Sequence, residues 1–152
     1  MPIATYDQPI VETYVQPSTA FGATTESFQY IGPKGKKGRV RDFDIFVTAS
    51  MVGTTTVPEL QVGTAQGDFT NGRFRLGTTA ILGYVQTLPY RASNIGGNTL
   101  MDDTPSYQDF PGHVMVATVP IPADTPFFIT RLAGTGGAPA GTGASRVVIE
   151  WW

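Results

Sequence analysis

The sequence predicts an all-β domain: charged residues are scarce, glycine and proline are abundant, and the clearest apolar pattern has a period of two. Asp, Glu, Lys and Arg make up 14% of the chain, against about 25% in an average globular domain. Gly 18 and Pro 12, with abundant threonine, disfavour helix and suit turns and pleated surfaces. At 152 residues the chain has the size of one domain and can hold a core without disulfides or metal. It contains no cysteine, which excludes thiol catalysis and thiolate metal sites and fits folding in a reducing compartment. A net charge of -2 provides no general pull toward nucleic acid or anionic membranes. The start, Met1-Pro2-Ile3-Ala4-Thr5-Tyr6-Asp7, lacks the basic residues and apolar run of a secretory signal. No stretch approaches the roughly 18 apolar residues of a membrane helix, so the expected protein is soluble and made in the cytoplasm.

Residues 1–27 are expected to form an extended N-terminal arm. Pro2, Pro9 and Pro17 interrupt it, and Ile3, Tyr6, Ile10, Tyr14 and Phe21 show no sustained alternation. It is nonetheless too aromatic for a disordered tail. An arm docked on a partner and an edge strand packed on its own domain both account for this, and both stay open. Residues 28–152 are expected to form a β-sandwich. In Val40–Val52, Phe43, Ile45, Val47, Ala49 and Met51 fall on one face, with Asp42, Asp44, Thr48 and Ser50 on the other. Pro58, Leu60 and Val62 alternate with Glu59, Gln61 and Gly63 in a second strand. Asn71-Gly72 is expected to form a two-residue type I′ turn, setting Phe69 opposite Phe74 and Asp68 opposite Arg75.

Ala80–Thr87 forms another expected strand, followed by a long irregular stretch, 88–112, of the kind that is usually functional or disordered. Strands are then expected at His113–Ile121, Pro126–Leu132 and Ser145–Trp152. Ala133–Ala144, made of Gly, Ala, Thr and Pro, is expected to be a hairpin tip, either mobile or pressed against a neighbouring surface. Seven or eight strands without a helix fit a single β-sandwich, with the jelly roll as the suggested form.

Catalytic chemistry has little to work with. His113 is the one histidine; a base needs partners that sequence does not place, and a histidine-rich metal site is impossible. Asp102, Asp103 and Asp109 match no calcium loop, having no regular Asp-x-Asp ladder and no downstream Glu. The expectation is no enzyme, no catalytic residue, no metal and no cofactor.

Two features suggest contact with a partner. Gly32-Pro33-Lys34-Gly35-Lys36-Lys37-Gly38-Arg39-Val40-Arg41 carries half of the basic residues, but its glycine spacing is wrong for a phosphate-binding loop and no Ser or Thr follows the lysine. A solvated turn, a docking site for an acidic protein surface and, least favoured, a nucleic-acid contact are the three readings. At Trp151-Trp152, alternation puts Trp151 with Val147 and Ile149 and Trp152 with Val148. Either the strand is central and buried on both sides, the favoured reading, or one tryptophan is an exposed stacking platform or anchor. The candidate protein-interaction residues are Tyr6, Ile10, Tyr14 and Phe21 of the arm and Lys34, Lys36, Lys37 and Arg39 of the basic turn.

An arm, then Phe43-Asp44-Ile45-Phe46-Val47-Thr48, Val57-Pro58-Glu59-Leu60-Gln61-Val62-Gly63-Thr64-Ala65, Pro126-Phe127-Phe128-Ile129-Thr130, a small-residue tip and Arg146-Val147-Val148-Ile149-Glu150-Trp151-Trp152 together resemble the head decoration (cement) proteins of tailed bacteriophages. Many of these are trimeric β-sandwiches or jelly rolls whose arms bind across neighbouring capsid subunits. The resemblance therefore implies a structural virion protein, assembled in the host bacterial cytoplasm and located on the capsid surface. It implies the major capsid protein as partner, a homo-oligomer with a trimer favoured, and no membrane. The basic turn belongs to no family motif. The alternative is a carbohydrate-binding or host-recognition module of a phage tail or spike, with Tyr84, Tyr90, Tyr107 and Trp152 as a sugar platform.

Overall fold

A computed structural model describes residues 8–53, 55–56, 58–75, 90–91, 114–116 and 119–152. These residues form nine strands and no helix: β1 (Ile10–Thr19), β2 (Glu26–Tyr30), β3 (Gly38–Val52), β4 (Glu59–Gly63), β5 (Gly72–Arg75), β6 (Tyr90–Arg91), β7 (Val114–Val116), β8 (Phe127–Leu132) and β9 (Ala140–Trp151). Two antiparallel sheets result, ordered β1-β9-β3-β6 and β2-β8-β4-β5-β7. The pairing is nested: β1 pairs with β9, β2 with β8, β3 with β6 and β4 with β5. The expected strand Ala80–Thr87 lies outside the described residues. Within the stretch expected to be irregular, Tyr90 and Arg91 pair with Ile45 and Asp44 of β3.

The sheets share one core. Phe43 and Ile45 of β3 and Val147, Ile149 and Trp151 of β9 meet Leu60, Val62, Phe74, Phe127 and Ile129 of the other sheet, all buried. Each such side chain contributes roughly 1.5–3 kcal/mol by leaving water. Phe43 stacks on Phe74 at 5.9 Å, and Phe127 lies 5.6 Å from Trp151. In β9 the expected alternation holds, with Val147, Ile149 and Trp151 inward. The strand is central, but its outer face is only half-buried and Trp152 is 42% exposed. In β3 the inward positions change parity. Val40 pairs with Ile149 and Asp42 with Val148, so Arg41 is an extra residue. That bulge lets Val40 and Phe43, three positions apart, both face the core. Phe43 and Ile45 are buried, and Ala49, expected on the same face, is exposed.

The Asn71-Gly72 turn differs from the expectation. Gly72 is already strand, paired with Val62, and Phe74 pairs with Leu60 rather than Phe69. The reversal occupies Thr64–Asn71, where the Asp68 carboxylate accepts bonds from the Thr64 and Thr70 amides. Hydrogen bonding to Thr70, its hydroxyl above all, holds the Asp68 carboxyl below its ordinary value despite partial burial. Asn71 is buried and donates its side-chain amide to the Val119 and Pro120 carbonyls. Gly72 is glycine for space: a Cβ there would lie 3.0 Å from the Phe43 ring. Phe69 is left exposed beneath the Arg73 guanidinium, 4.7 Å away.

Residues 10–19 take the edge-strand alternative, and the expected boundary at 27 falls inside β2. Phe21, in the connection, is fully buried, and Tyr14 packs edge-on against Tyr30 and Phe127 at 4.9 and 5.3 Å. The small-residue tip is also shorter than expected, because β9 begins at Ala140. Its first residues are tied to its own domain: the Gly134 amide donates to the Gly22 carbonyl at 3.2 Å and the Thr135 amide to the Thr56 carbonyl at 3.0 Å, while a Cβ on Gly22 would lie 2.2 Å from the Ala140 oxygen at the start of β9.

Arg131 of β8 is fully buried between the sheets. It donates to the Pro17 carbonyl and Thr19 hydroxyl of β1, both at 2.6 Å, and pairs with Glu26 of β2. Arg131→Ala should cost about 3 kcal/mol, the lower end for breaking a buried pair because Glu26 keeps some contact with water; urea unfolding measures it. Burial works to raise the Glu26 carboxyl, but bonds from Thr19 and Arg131 and the guanidinium charge hold it below its ordinary value. A depressed carboxyl contributes stability above its unfolded value of about 4.3 and loses it as pH falls through the folded value. Glu26→Gln should therefore flatten the loss of stability below about pH 4.3 while leaving the pH dependence near neutrality unchanged, read from urea midpoints across that range.

Candidate interaction surface

The basic turn and the final tryptophans form one end of the domain. The β3–β9 register sets Gly38 opposite Trp151 and Arg39 opposite Glu150. Beyond it, the amides and carbonyls of Lys37 and Trp152 exchange two bonds of 3.0 Å. Gly38 makes a further bridge to Ile121. The turn itself closes with the Lys36 amide on the Pro33 carbonyl and the Gly35 amide on Asp124, at 2.7 Å. Gly35 adopts φ 74 in open space, a conformation that costs glycine nothing.

The other glycines answer to a different demand. A Cβ on Gly32 would lie 2.3 Å from the Trp151 indole, and one on Gly38 2.4 Å from it. The glycine pattern that superficially suggests a phosphate loop thus lets the turn wrap a buried tryptophan. With its backbone fixed on Trp151, the turn presents its basic side chains outward. Lys34, Lys37 and Arg39 are exposed, Lys36 is half-buried, and the Arg39 guanidinium sits 5.4 Å over the Trp152 ring. Arg41 reaches Glu150 at 2.9 Å. Ile31, 62% exposed, adjoins the same turn.

Four of the sequence candidates are therefore brought together: Lys34, Lys36, Lys37 and Arg39. The arm candidates are not. Tyr6 lies outside the described residues, Ile10 is partly exposed on β1, and Tyr14 and Phe21 serve the core. In sequence the basic turn and Trp152 are far apart; what joins them is the pairing of β3's start with β9's end. Ile31 carried no signal. His113, Asp102, Asp103, Asp109, Tyr84 and Tyr107 lie outside the described residues, and nothing is described of the Tyr90 side chain. Among the described residues no three of His, Cys, Asp or Glu gather as a metal site would require, and no helix is long and apolar enough to cross a membrane.

No family model, no curated protein and no solved structure matches the chain. The fit between turn and indole is testable alone. Gly38→Ala forces a methyl into Trp151 and should cost about 3 kcal/mol, the upper end for over-packing. Gly35→Asn should cost under about 1 kcal/mol, since asparagine tolerates positive φ. Thermal unfolding of the two variants compares them.

Proposed function

We propose that the protein is a structural virion protein that decorates and stabilises a phage capsid by binding the shell of the major capsid protein. The observation that carries this reading is the exposed end where Arg39 lies over Trp152 beside Lys34, Lys36 and Lys37. Arginine and tryptophan are the side chains most enriched at binding hot spots, and a cationic rim favours an acidic protein surface. The strand-and-turn layout that resembles cement proteins supplies the identity of that surface. Such a protein binds only the assembled shell and stabilises it by mass action.

The fold we propose is a sandwich of the jelly-roll kind, with β7 added at one edge. Support comes from the nested pairing of β1 with β9, β2 with β8, β3 with β6 and β4 with β5, divided alternately between two sheets, as a rolled double Greek key requires. The protein is proposed to act as a homo-oligomer on the virion surface, after assembly in the bacterial cytoplasm. An exposed Trp152 also suits sugar stacking, which keeps a tail or spike recognition module as the second reading.

The charge-reversed variant Lys34→Glu/Lys37→Glu/Arg39→Glu tests the first reading. In co-sedimentation with shells of the same virus's major capsid protein, its affinity should fall at least about tenfold, and wild-type binding should weaken with salt. Equal binding by variant and wild type would remove this end from the interface. If the wild type ignores shells yet binds host polysaccharide with a change in tryptophan fluorescence, the second reading replaces the first.

A further inference from the structure

We infer that two copies of this chain pair edge to edge through β1, antiparallel about a two-fold axis at Thr13, joining their first sheets into one. Among the described residues β1 has a neighbour on one side only, β9. An open edge is a row of unpaired amides and carbonyls, which proteins guard with lysines, prolines, bulges or very short strands. From Ile10 to Gln16 β1 has none of these, and its pairing with β9 is regular until a shift after Gln16. Pro9 stands before β1, and Pro17 stands where the regular run stops, ahead of the last pair of Thr19 with Gly143; neither has an amide to give a ladder.

Those limits are symmetric about Thr13, and so is what lies between them. In the register centred there, Pro9 faces Pro17 of the second copy, Val11 faces Val15, and Thr13 faces itself. Val11 and Val15 are the two most exposed large apolar side chains of the described residues, at 64% and 65%, and both lie on the outer face with Thr13. Each would be covered by the other's counterpart, an apolar cross-strand pair made twice. Glu12, the only charged residue of β1, would meet Tyr14 of the second copy, so no like charges stand directly opposite. A two-fold operation brings the same strand to itself, which is how most homo-oligomers close. The surface is distinct from the basic end, and the inference does not rest on shell binding. It differs from the trimer that the resemblance implies.

The full chain at about 100 µM, a concentration that reveals even weak dimers, should sediment at twice its 16.3 kDa. Val11→Lys and Val15→Glu should each weaken the dimer about tenfold, because each places two like charges near the axis and strips an apolar pair. Together they set Lys opposite Glu twice and should restore it. In this cysteine-free chain, Thr13→Cys should also give a single disulfide-linked dimer under mild oxidation, since directly opposite Cα atoms lie within disulfide range; Gln66→Cys, on an exposed turn, should not. A monomer or trimer at that concentration, a double variant no tighter than the single ones, or equal cross-linking at both cysteines would overturn the inference.

Discussion

Arg131 puts a guanidinium on the inward face of β8, in line with Phe127 and Ile129. A buried cation is tolerable only when hydrogen bonds and an opposite charge replace its water. Here the replacements come from both sheets: carbonyl and hydroxyl oxygens of β1 and the Glu26 carboxylate of β2. The rings of Phe21 and Phe28 cover the guanidinium at 4.9 and 5.2 Å. The two edge strands at this side of the domain are thus joined through this side chain as well as directly, by the Thr19 hydroxyl on Glu26 at 2.7 Å and by Tyr14 against Tyr30. Without the cation, the Pro17 carbonyl and the Glu26 carboxylate would each lose a donor, and Glu26 would keep the Thr19 hydroxyl.

What the sequence made legible was the part of the fold governed by strict alternation. β9 keeps its inward set from Val147 to Trp151, and β8 begins within one residue of the expected position. The misreadings occur where a single residue breaks local rules for a distant reason. Arg41 bulges, and no pattern within β3 announces it. Asn-Gly is the usual signature of a tight hairpin, but Gly72 answers to Phe43 across the core, while Asp68 organises the turn. Within residues 10–19 apolar alternation fails because β1 is an edge strand among the described residues, with Val11 and Val15 exposed and the polar Glu12 and Gln16 on its inner face. Arg131 is illegible in the sequence, since an isolated arginine in a strand carries no sign of burial.

The candidate surface was half legible. Its charge was plain in the sequence, and so was the oddity of a Trp-Trp ending. Their juxtaposition was not, because it depends on which strands pair and in which register. The glycines gave a false hint of phosphate chemistry for a sound physical reason. Any backbone that must approach something closely uses glycine, whether the object is a phosphate or, as here, an indole.

The nested pairing has a consequence for how the protein comes to be folded. Ile10 pairs with Trp151, so β1 lacks its β9 ladder until residues about 140 positions later have left the ribosome. Contacts so distant in sequence carry a large loop-closure cost before they return any stabilisation, and topologies dominated by them fold slowly. During synthesis β1 is therefore a strand with two open edges until β9 is made, and it can meet another chain before then. Its stretch between prolines, with Glu12 as the one charge, is thus exposed to mispairing at high expression, and the arrival of Val147–Trp151 closes one of its two edges.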